Sequence, residues 1–236
     1  MAVVDTLKLV VISDVHANYD AIRVVSNEIR DCDLLVCLGD LVGYGAQPNE
    51  AVEEIRRLGP KVIVAGNHDY ATVTGDTSNF VAYATLAIEW TRRELKPENL
   101  AFLSQLPYVS TETLGNLTVG SYHGSPRDPL NEYIYPGVPQ FTLQALIEEA
   151  AANLLLLGHT HIPFYSTTSS GTLVNPGSIG QPRDGDPRAS YAVIQVSNSK
   201  IDCRIERVPY DIESAASQIL EEGLPTFLAD RLFAGI

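Results

Sequence analysis

Basic charge is scarce in this chain: 16 Lys and Arg stand against 29 Asp and Glu, for a net charge of −13. Such a surface repels a polyanionic backbone, and no basic patch with interleaved aromatics offsets it, so duplex DNA is excluded as an expected partner. An acidic surface still admits a small phosphate ester where the site itself carries metal charge. Cysteine is also sparse. Cys32, Cys37 and Cys203 are odd in number, widely spaced and without a Cys-x-x-Cys pair. They point to buried free thiols in a reducing compartment rather than to a disulfide framework. Long apolar runs are missing, since none approaches the roughly 18 residues a membrane span needs. Asp5 and Lys8 interrupt the first run, leaving no charged-then-apolar leader. The expectation is a cytoplasmic protein with no membrane association. Linkers, internal repeats and low-complexity segments are absent too, so residues 1–236 are expected to form a single domain with a substantial core.

What is present is a regular alternation. Leu7 to Ile12 is an apolar run broken only by Lys8, as in a buried strand. Asn18 can cap a helix whose apolar face is Ala21, Ile22, Val25 and Ile29. A second strand, Leu34 to Leu38, precedes a helix that starts at Pro48 and stops at Gly59-Pro60. A third short strand ends at Ala65. Strand, helix, strand, helix, strand implies a parallel sheet with right-handed crossovers, in which ligands collect beyond the carboxyl ends of the strands. Helices are then expected around Phe80 to Thr91 and from Pro97. Tyr108 to Thr113 and Leu117 to Tyr122 read as a hairpin through Gly115-Asn116. A helix around Leu143 to Ala150 and a buried strand, Leu154 to Leu157, follow. Strands at 164–168, 172–175, 191–196 and 201–208 suggest an antiparallel second sheet, and two outer helices occupy the tail. The expected fold is α/β, two mixed sheets packed face to face and flanked by helices.

The five histidines are His16, His68, His123, His159 and His161, and each falls at or just past the end of a predicted strand, none on a helix face. One such histidine is ordinarily a satisfied loop residue. Five of five, with Asp14 beside His16 and Asn67 and Asp69 beside His68, describe a site for borderline-hard divalent metals. Asp14, His16, Asp40, Asn67, His123, His159 and His161 make seven potential ligands, too many for a single ion of four to six coordination. If Asp40 bridges two ions, each receives four ligands, and His68 remains for acid–base work.

Asp14-Val15-His16, Gly39-Asp40, Gly66-Asn67-His68-Asp69, the lone His123 and Gly158-His159-Thr160-His161, in that order, resemble the motifs of the calcineurin-like metallophosphoesterase family. The resemblance spans residues 7 to about 180. It implies a four-layer α/β/β/α sandwich and two divalent ions, with Mn²⁺ expected and Fe, Zn, Ni or Co as alternatives. By that resemblance one ion takes Asp14, His16, Asp40 and His161, and the other takes Asp40, Asn67, His123 and His159. Water activated between the ions would attack a phosphoester, while His68, oriented by Asp69, would protonate the leaving oxygen. The small size and Asn175-Pro176-Gly177-Ser178 resemble the compact bacterial and archaeal phosphodiesterases of the family. A small phosphodiester, nucleotide-derived or not, is therefore the expected substrate, with a phosphomonoester as the alternative.

The chain also departs from the family. Its Ser/Thr protein phosphatases continue Gly-Asp into Asp-Arg-Gly, whose arginine clamps phosphate, whereas Gly43-Tyr44-Gly45 stands here. Arg127 and Arg183, each in a Pro-Arg-Asp loop, are candidates to replace that arginine, against the plainer reading of a surface arginine paired with its neighbouring aspartate. Tyr44, Tyr133 and Tyr135 either stack on a base or cover the core. A non-catalytic scaffold, as in the similar retromer subunit whose catalytic histidine is replaced, is opposed by His68 and the complete ligand set. A metallo-β-lactamase-type site is excluded because Ile162-Pro163-Phe164 follows His161.

Overall fold

The computed structural model describes residues 6–29, 31–197 and 200–236; Asp5 and residues 198–199, where the sequence reads as a turn, lie outside the described residues. Three strand–helix steps open the chain: β1 (Leu7–Ile12) and α1 (Tyr19–Glu28), β2 (Leu34–Cys37) and α2 (Pro48–Leu58), β3 (Val62–Ile63) and α3 (Asn67–Thr74). Asn18 caps α1, its side-chain oxygen accepting from the Ala21 N–H at 3.1 Å. Pro48 starts α2, and Gly59 ends it at φ 63° in the left-handed region.

The third step differs from the sequence expectation. Gly66 is the N-cap of α3, so Asn67, His68 and Asp69 form its first turn, and His68 is on a helix after all. Three polar residues conceal the apolar periodicity, but Asp69 reaches back to accept the Gly66 N–H at 3.0 Å, the third-position half of a capping box.

After α4 (Ala82–Glu94) and α5 (Pro97–Leu103) comes the hairpin of β4 (Val109–Leu114) and β5 (Leu117–Tyr122). Leu114 pairs with Leu117 across the two-residue turn, with Gly115 at φ 61° supplying the positive φ that such turns demand. Then follow α6 (Gln140–Glu149), β6 (Leu154–Leu156), β7 (Phe164–Thr167), β8 (Thr172–Asn175), β9 (Ala189–Ser197), β10 (Lys200–Val208), α7 (Ile212–Glu221) and α8 (Thr226–Ala234).

The strands make two five-stranded mixed sheets, ordered β10-β9-β1-β2-β3 and β4-β5-β6-β8-β7. The expectation that the last four strands form one antiparallel sheet is thereby corrected. β7 and β8 join β6, while β9 pairs antiparallel with β1, Leu9 opposite Ile194. Burial explains the split. Ala192 and Ile194 fill the space between the sheets, whereas Tyr191 and Val193 pack against the helices outside, so β9 needs cover on both faces. A place beside β1 gives it that cover.

The same alternation builds the layers. Leu9 and Val11 of β1 meet Val119, Leu154 and Leu156 of the other sheet, and Val10 and Ile12 point the opposite way to Ile22, Val25 and Ile55 of α1 and α2. On the far side, Leu143, Leu146 and Ile147 of α6 cover Leu155 and Leu173. The result is the four-layer α/β/β/α sandwich, with α4, α7 and α8 gathered around Tyr44 at one end.

All three cysteines are free; Cys37 and Cys203 are buried and Cys32 is half-buried. Burial pushes the Cys37 and Cys203 thiols up to about 12. Native protein should therefore expose at most one thiol, Cys32, to a disulfide exchange reagent, against three after denaturation. Two or more fast-reacting thiols in the native protein would contradict this packing. Among the described residues no helix is long and apolar enough to cross a membrane.

Candidate metal centre

The loops after β1, β2, β5 and β6 and the first turn of α3 converge at one end of the two sheets. The loops after β1 and β2 continue the ladder beyond the strands, with Asp14 N–H donating to Gly39 O at 3.0 Å and His16 N–H to Asp40 O at 2.9 Å. Gly66 lets α3 come in close, since a Cβ there would collide with the Asp40 carboxylate. Asp14, His16, Asp40, His159 and His161 all have φ between 48° and 67°, in the left-handed region that non-glycine residues avoid. Each such residue costs roughly 1–3 kcal/mol and persists only where the surroundings over-determine it. Here Ser178 Oγ donates to Asp14 O at 2.7 Å, Gly180 N–H to the same oxygen at 2.9 Å, and Asn175 Nδ2 to Gly158 O at 2.7 Å. The segment from Asn175 to Gly180 thus clamps two of the strained loops.

Seven side chains meet at this point. The donor atoms of Asp14, His16, Asp40 and His161 lie within 4.8 Å of one another, and so do those of Asp40, His123 and His159. Asn67 Oδ1 joins the second group, 3.1 Å from His123 Nε2. Asp40 belongs to both, its Oδ2 lying 3.5 Å from His16 Nε2 and 3.2 Å from His123 Nε2.

The outer nitrogens of the four imidazoles assign their protons. His16 Nδ1 faces Val42 O at 3.2 Å, His123 Nδ1 faces Leu38 O at 2.8 Å, His161 Nδ1 faces Gln181 O at 2.6 Å and His159 Nε2 faces Asn131 O at 3.2 Å. A carbonyl can only accept, so each outer nitrogen donates, and in the neutral ring the inner nitrogen carries a bare lone pair. Inner nitrogens then confront one another, His16 and His161 at 3.0 Å, His123 and His159 at 3.1 Å. Lone pairs at that range repel unless a cation lies between them. Asp14 Oδ1 and Asp40 Oδ2 are likewise buried with no hydrogen-bond partner.

The electrostatics agree. Burial lowers the pKa of His16 and His161, and takes His159 down to about 3, which keeps these rings neutral as ligands must be. His123 differs, because burial is outweighed by the Asp40 and Asp14 carboxylates, which push it up to about 9. A proton there occupies the place a metal charge would take. Burial opposes ionisation of Asp14 and Asp40 too, yet the histidines beside them hold both below the usual carboxylate range. Two buried carboxylates ringed by imidazoles whose lone pairs face one another call for divalent cations, and the residues fit them.

His68 and Asp69 sit beside this cluster in different roles. The His68 ring is 4% exposed and boxed by Tyr44 at 4.4 Å, His16 at 4.8 Å and Phe80 at 4.9 Å between centroids. Burial takes its pKa down to about 4, so the imidazole is neutral near pH 7. Its Nδ1 is buried without a partner. An orphaned acceptor is tolerated better than an orphaned donor, which puts the proton on Nε2. Asp69 does not orient this ring, contrary to expectation. Its Oδ1 accepts from Leu41 N–H at 2.9 Å and Val42 N–H at 3.2 Å, and its Oδ2 accepts from Gly66 N–H. Adjacent residues on a helix point in different directions, and Asp69 instead ties the Asp40 loop to α3.

The arginine candidates separate as cleanly. Arg127 is spent in a bidentate pair with Glu149, at 2.7 and 2.8 Å, and has no contact with the cluster. Arg183 is beside it: its N–H donates to His161 O at 3.2 Å, its Nη2 reaches Gln181 Oε1 at 3.0 Å, and its guanidinium leans on the Tyr44 ring at 5.8 Å. Tyr44 is buried and so covers the core, while Tyr133 is exposed and stacks on His159 at 3.8 Å. Asn175 and Ser178 were visible only as part of a motif, with no sign of their clamping role. Arg231, on α8, reaches the same Tyr44 ring at 5.8 Å from a segment with no motif at all.

Comparison with known proteins is consistent with this geometry. The family model described as the calcineurin-like phosphoesterase superfamily domain matches residues 7–199. An uncharacterised protein of Methanocaldococcus jannaschii is 38% identical over 246 residues, covering 96% of this chain and 98% of its own length. A metallophosphoesterase crystal structure from Sphaerobacter thermophilus is 37% identical with a TM-score of 0.83, covering 98% of this chain and all of that one. A hypothetical protein from Pyrococcus horikoshii, at 22% identity, shares the fold with a TM-score of 0.88 over 98% of this chain and 99% of its own. With a matching family model over most of its length and a full-length relative well above 30% identity, the chain belongs to the calcineurin-like phosphoesterase superfamily.

Proposed function

We propose that the chain hydrolyses small phosphodiesters at a dinuclear centre, with one divalent ion on Asp14, His16, Asp40 and His161 and the other on Asp40, Asn67, His123 and His159. The observation that carries this reading is the single Asp40 carboxylate shared by two convergent donor sets. Ions held there would activate water and neutralise phosphoryl oxygens. Mn²⁺ is the proposed metal, and the same imidazole and carboxylate donors suit Fe, Zn, Ni or Co.

The chain's own groups do the rest. Asp40 uses Oδ1 to accept the His68 N–H at 2.8 Å, so the metal bridge and the proton donor are fixed to one another. His68 offers its Nε2–H to the leaving oxygen as a neutral donor. Arg183 is the proposed phosphate contact in place of the missing Asp-Arg-Gly arginine, its Nε buried and unpaired. A second ester group has room beside Asn67, in a cavity of about 400 Å³ lined by Tyr70, Phe80, Tyr108, Leu130 and Asn131. That room favours a diester over a monoester. Three free thiols fit a reducing compartment, and the cytoplasm is proposed on that ground.

The test is a panel of phosphodiesters and phosphomonoesters on metal-reconstituted protein, beginning with bis-p-nitrophenyl phosphate and Mn²⁺. A higher kcat/KM for diesters is expected. A monoester preference would reassign the substrate class, and no turnover with any ester or metal would return the chain to a binding scaffold. At a net charge of −13, no gel shift of duplex DNA is expected at physiological salt and micromolar protein. A salt-sensitive shift under those conditions would overturn that expectation.

A further inference from the structure

The cavity of about 400 Å³ beside Asn67 opens between the second ion position and the proton donor. Three contacts fix it there. Asn67 Oδ1 lies 3.1 Å from His123 Nε2, Asn131 O accepts from His159 Nε2 at 3.2 Å, and the Phe80 ring meets the His68 ring at 4.9 Å. A substituent on that side of a phosphoryl group held at the ions has this cavity to enter.

The lining is aromatic, and its charge has one sign. Tyr70, Phe80 and Tyr108 contribute three rings, and Asp76 is the one charged side chain among the described residues that line the cavity. Ser78 N–H donates to Asp76 Oδ1 at 3.0 Å, and the Ser78 hydrogen bonds hold this carboxyl below its usual range, so it is ionised near pH 7. No Lys, Arg or His among the described residues lines the cavity to offset it. An anionic substituent would therefore meet a carboxylate and no cation, on a protein of net charge −13.

Tyr108 stands apart from the other two rings. It is 47% exposed, yet it is braced. Pro107 beside it accepts the Ala65 N–H at 2.8 Å, and Tyr70 of α3 meets its ring in a T-shaped contact at 6.0 Å. Covering Tyr70 accounts for where Tyr108 sits, but not for so much aromatic surface left in water at a cavity beside the ions. A ring held in place before binding loses little freedom when a ligand stacks on it.

We propose that this cavity receives a flat, uncharged ring on the substrate's second ester group, with Tyr108 selecting that ring by stacking. A nucleobase on its sugar and a simple aryl group share this chemistry, whereas a second phosphate or a carboxylate does not. The inference rests on the phosphoester reading above for calling the ligand a substrate.

Calorimetry on the full-length, Mn²⁺-loaded protein tests it with phosphinates, whose P–C bonds replace the ester bonds and resist hydrolysis. Benzyl(methyl)phosphinate and a thymidine methylphosphinate, joined at the sugar's 5′ carbon, are compared with dimethylphosphinate. A ring-bearing ligand should bind roughly tenfold tighter than dimethylphosphinate, the worth of one stacked ring. A tighter thymidine ligand identifies a nucleobase, and a benzyl ligand that is equal or tighter identifies a plain aryl group. A para-carboxyl on the benzyl ring should cancel the gain, and Asp76→Asn should return part of it. In Tyr108→Ala the ratio should fall to about one, whereas Tyr108→Trp should keep it. Tyr108→Leu still covers Tyr70 but has no aromatic face; it should lose most of the ratio, which keeps the test alive if Tyr108→Ala does not fold. A covering role alone would lower the melting temperature and leave the ratio where it was. A wild-type ratio near one for both rings, a carboxybenzyl ligand as tight as the benzyl one, or a folded Tyr108→Ala protein that keeps the wild-type ratio overturns the proposal. The ester panel separates the two readings. A Tyr108-dependent preference without turnover of any ester keeps the ring subsite and removes the hydrolase, whereas turnover with no such preference does the reverse.

Discussion

Asp40→Asn should yield protein that holds neither ion tightly and has no measurable phosphoesterase activity. Asp40 Oδ2 faces His16 at 3.5 Å and His123 at 3.2 Å, and it is the one carboxylate common to both donor sets. An amide keeps the shape but removes the charge, and it can turn an N–H toward either ion. Loss of an outer partner of a metal ligand already costs about 10–100-fold in affinity or activity. Loss of the shared ligand should exceed that range for both ions at once. Asp14→Asn is the control, because Asp14 belongs only to the first set, with Oδ1 at 3.2 Å from His161 Nε2. It should deplete that position while the His123 and His159 position stays filled. Metal analysis of the purified variants decides the matter. Two ions retained tightly in Asp40→Asn would remove it as the bridge.

The metal ligands were legible in the sequence because each sits at the end of an apolar run. A buried strand announces itself by composition, and the parallel-sheet rule then says where polar residues at its end must gather. Asp14, Asp40, His123 and His159 could thus be assigned to one place with no knowledge of distance. The layers were legible for a related reason: every second residue of β1 faces a different core, so its apolar run has to be covered on both sides.

Other features were hidden because they depend on contacts between distant segments. The choice of sheet for β9 is made by what lies on each of its faces, between the sheets on one side and the helices on the other. Asp69 stands next to His68 in sequence, which suggested a partnership, but the helical turn sends it to the amides of Leu41, Val42 and Gly66. Arg127 and Arg183 occupy similar Pro-Arg-Asp loops. Only the presence of Glu149 beside the first, and of Tyr44 and Gln181 beside the second, tells them apart. Arg231 lies about 50 residues past Arg183 on a helix that looks like an outer cover in sequence, and no periodicity marks an arginine as buried.

His68→Ala should leave both ions in place and slow catalysis by roughly 10²–10⁴-fold, the usual contribution of a positioned proton donor. Metal retention is expected because the link between His68 and Asp40 is a backbone N–H, which alanine keeps. Some stability will be lost, since the ring fills the space between Tyr44, Phe80 and His16; His68→Gln fills part of that space and serves as the check. The rate loss should depend on the leaving group. A p-nitrophenolate departs with little protonation, whereas an alkoxide such as a ribose oxygen needs a proton, so the unactivated ester should suffer more. His123→Ala and His159→Ala should behave differently, because their inner nitrogens face the second ion position and their loss should deplete metal and damage both esters alike. Rates and bound metal for the three alanine variants, each with an activated and an unactivated ester, separate a donor from a ligand. If His68→Ala loses metal as the others do, or slows both esters equally, His68 is not the proton donor.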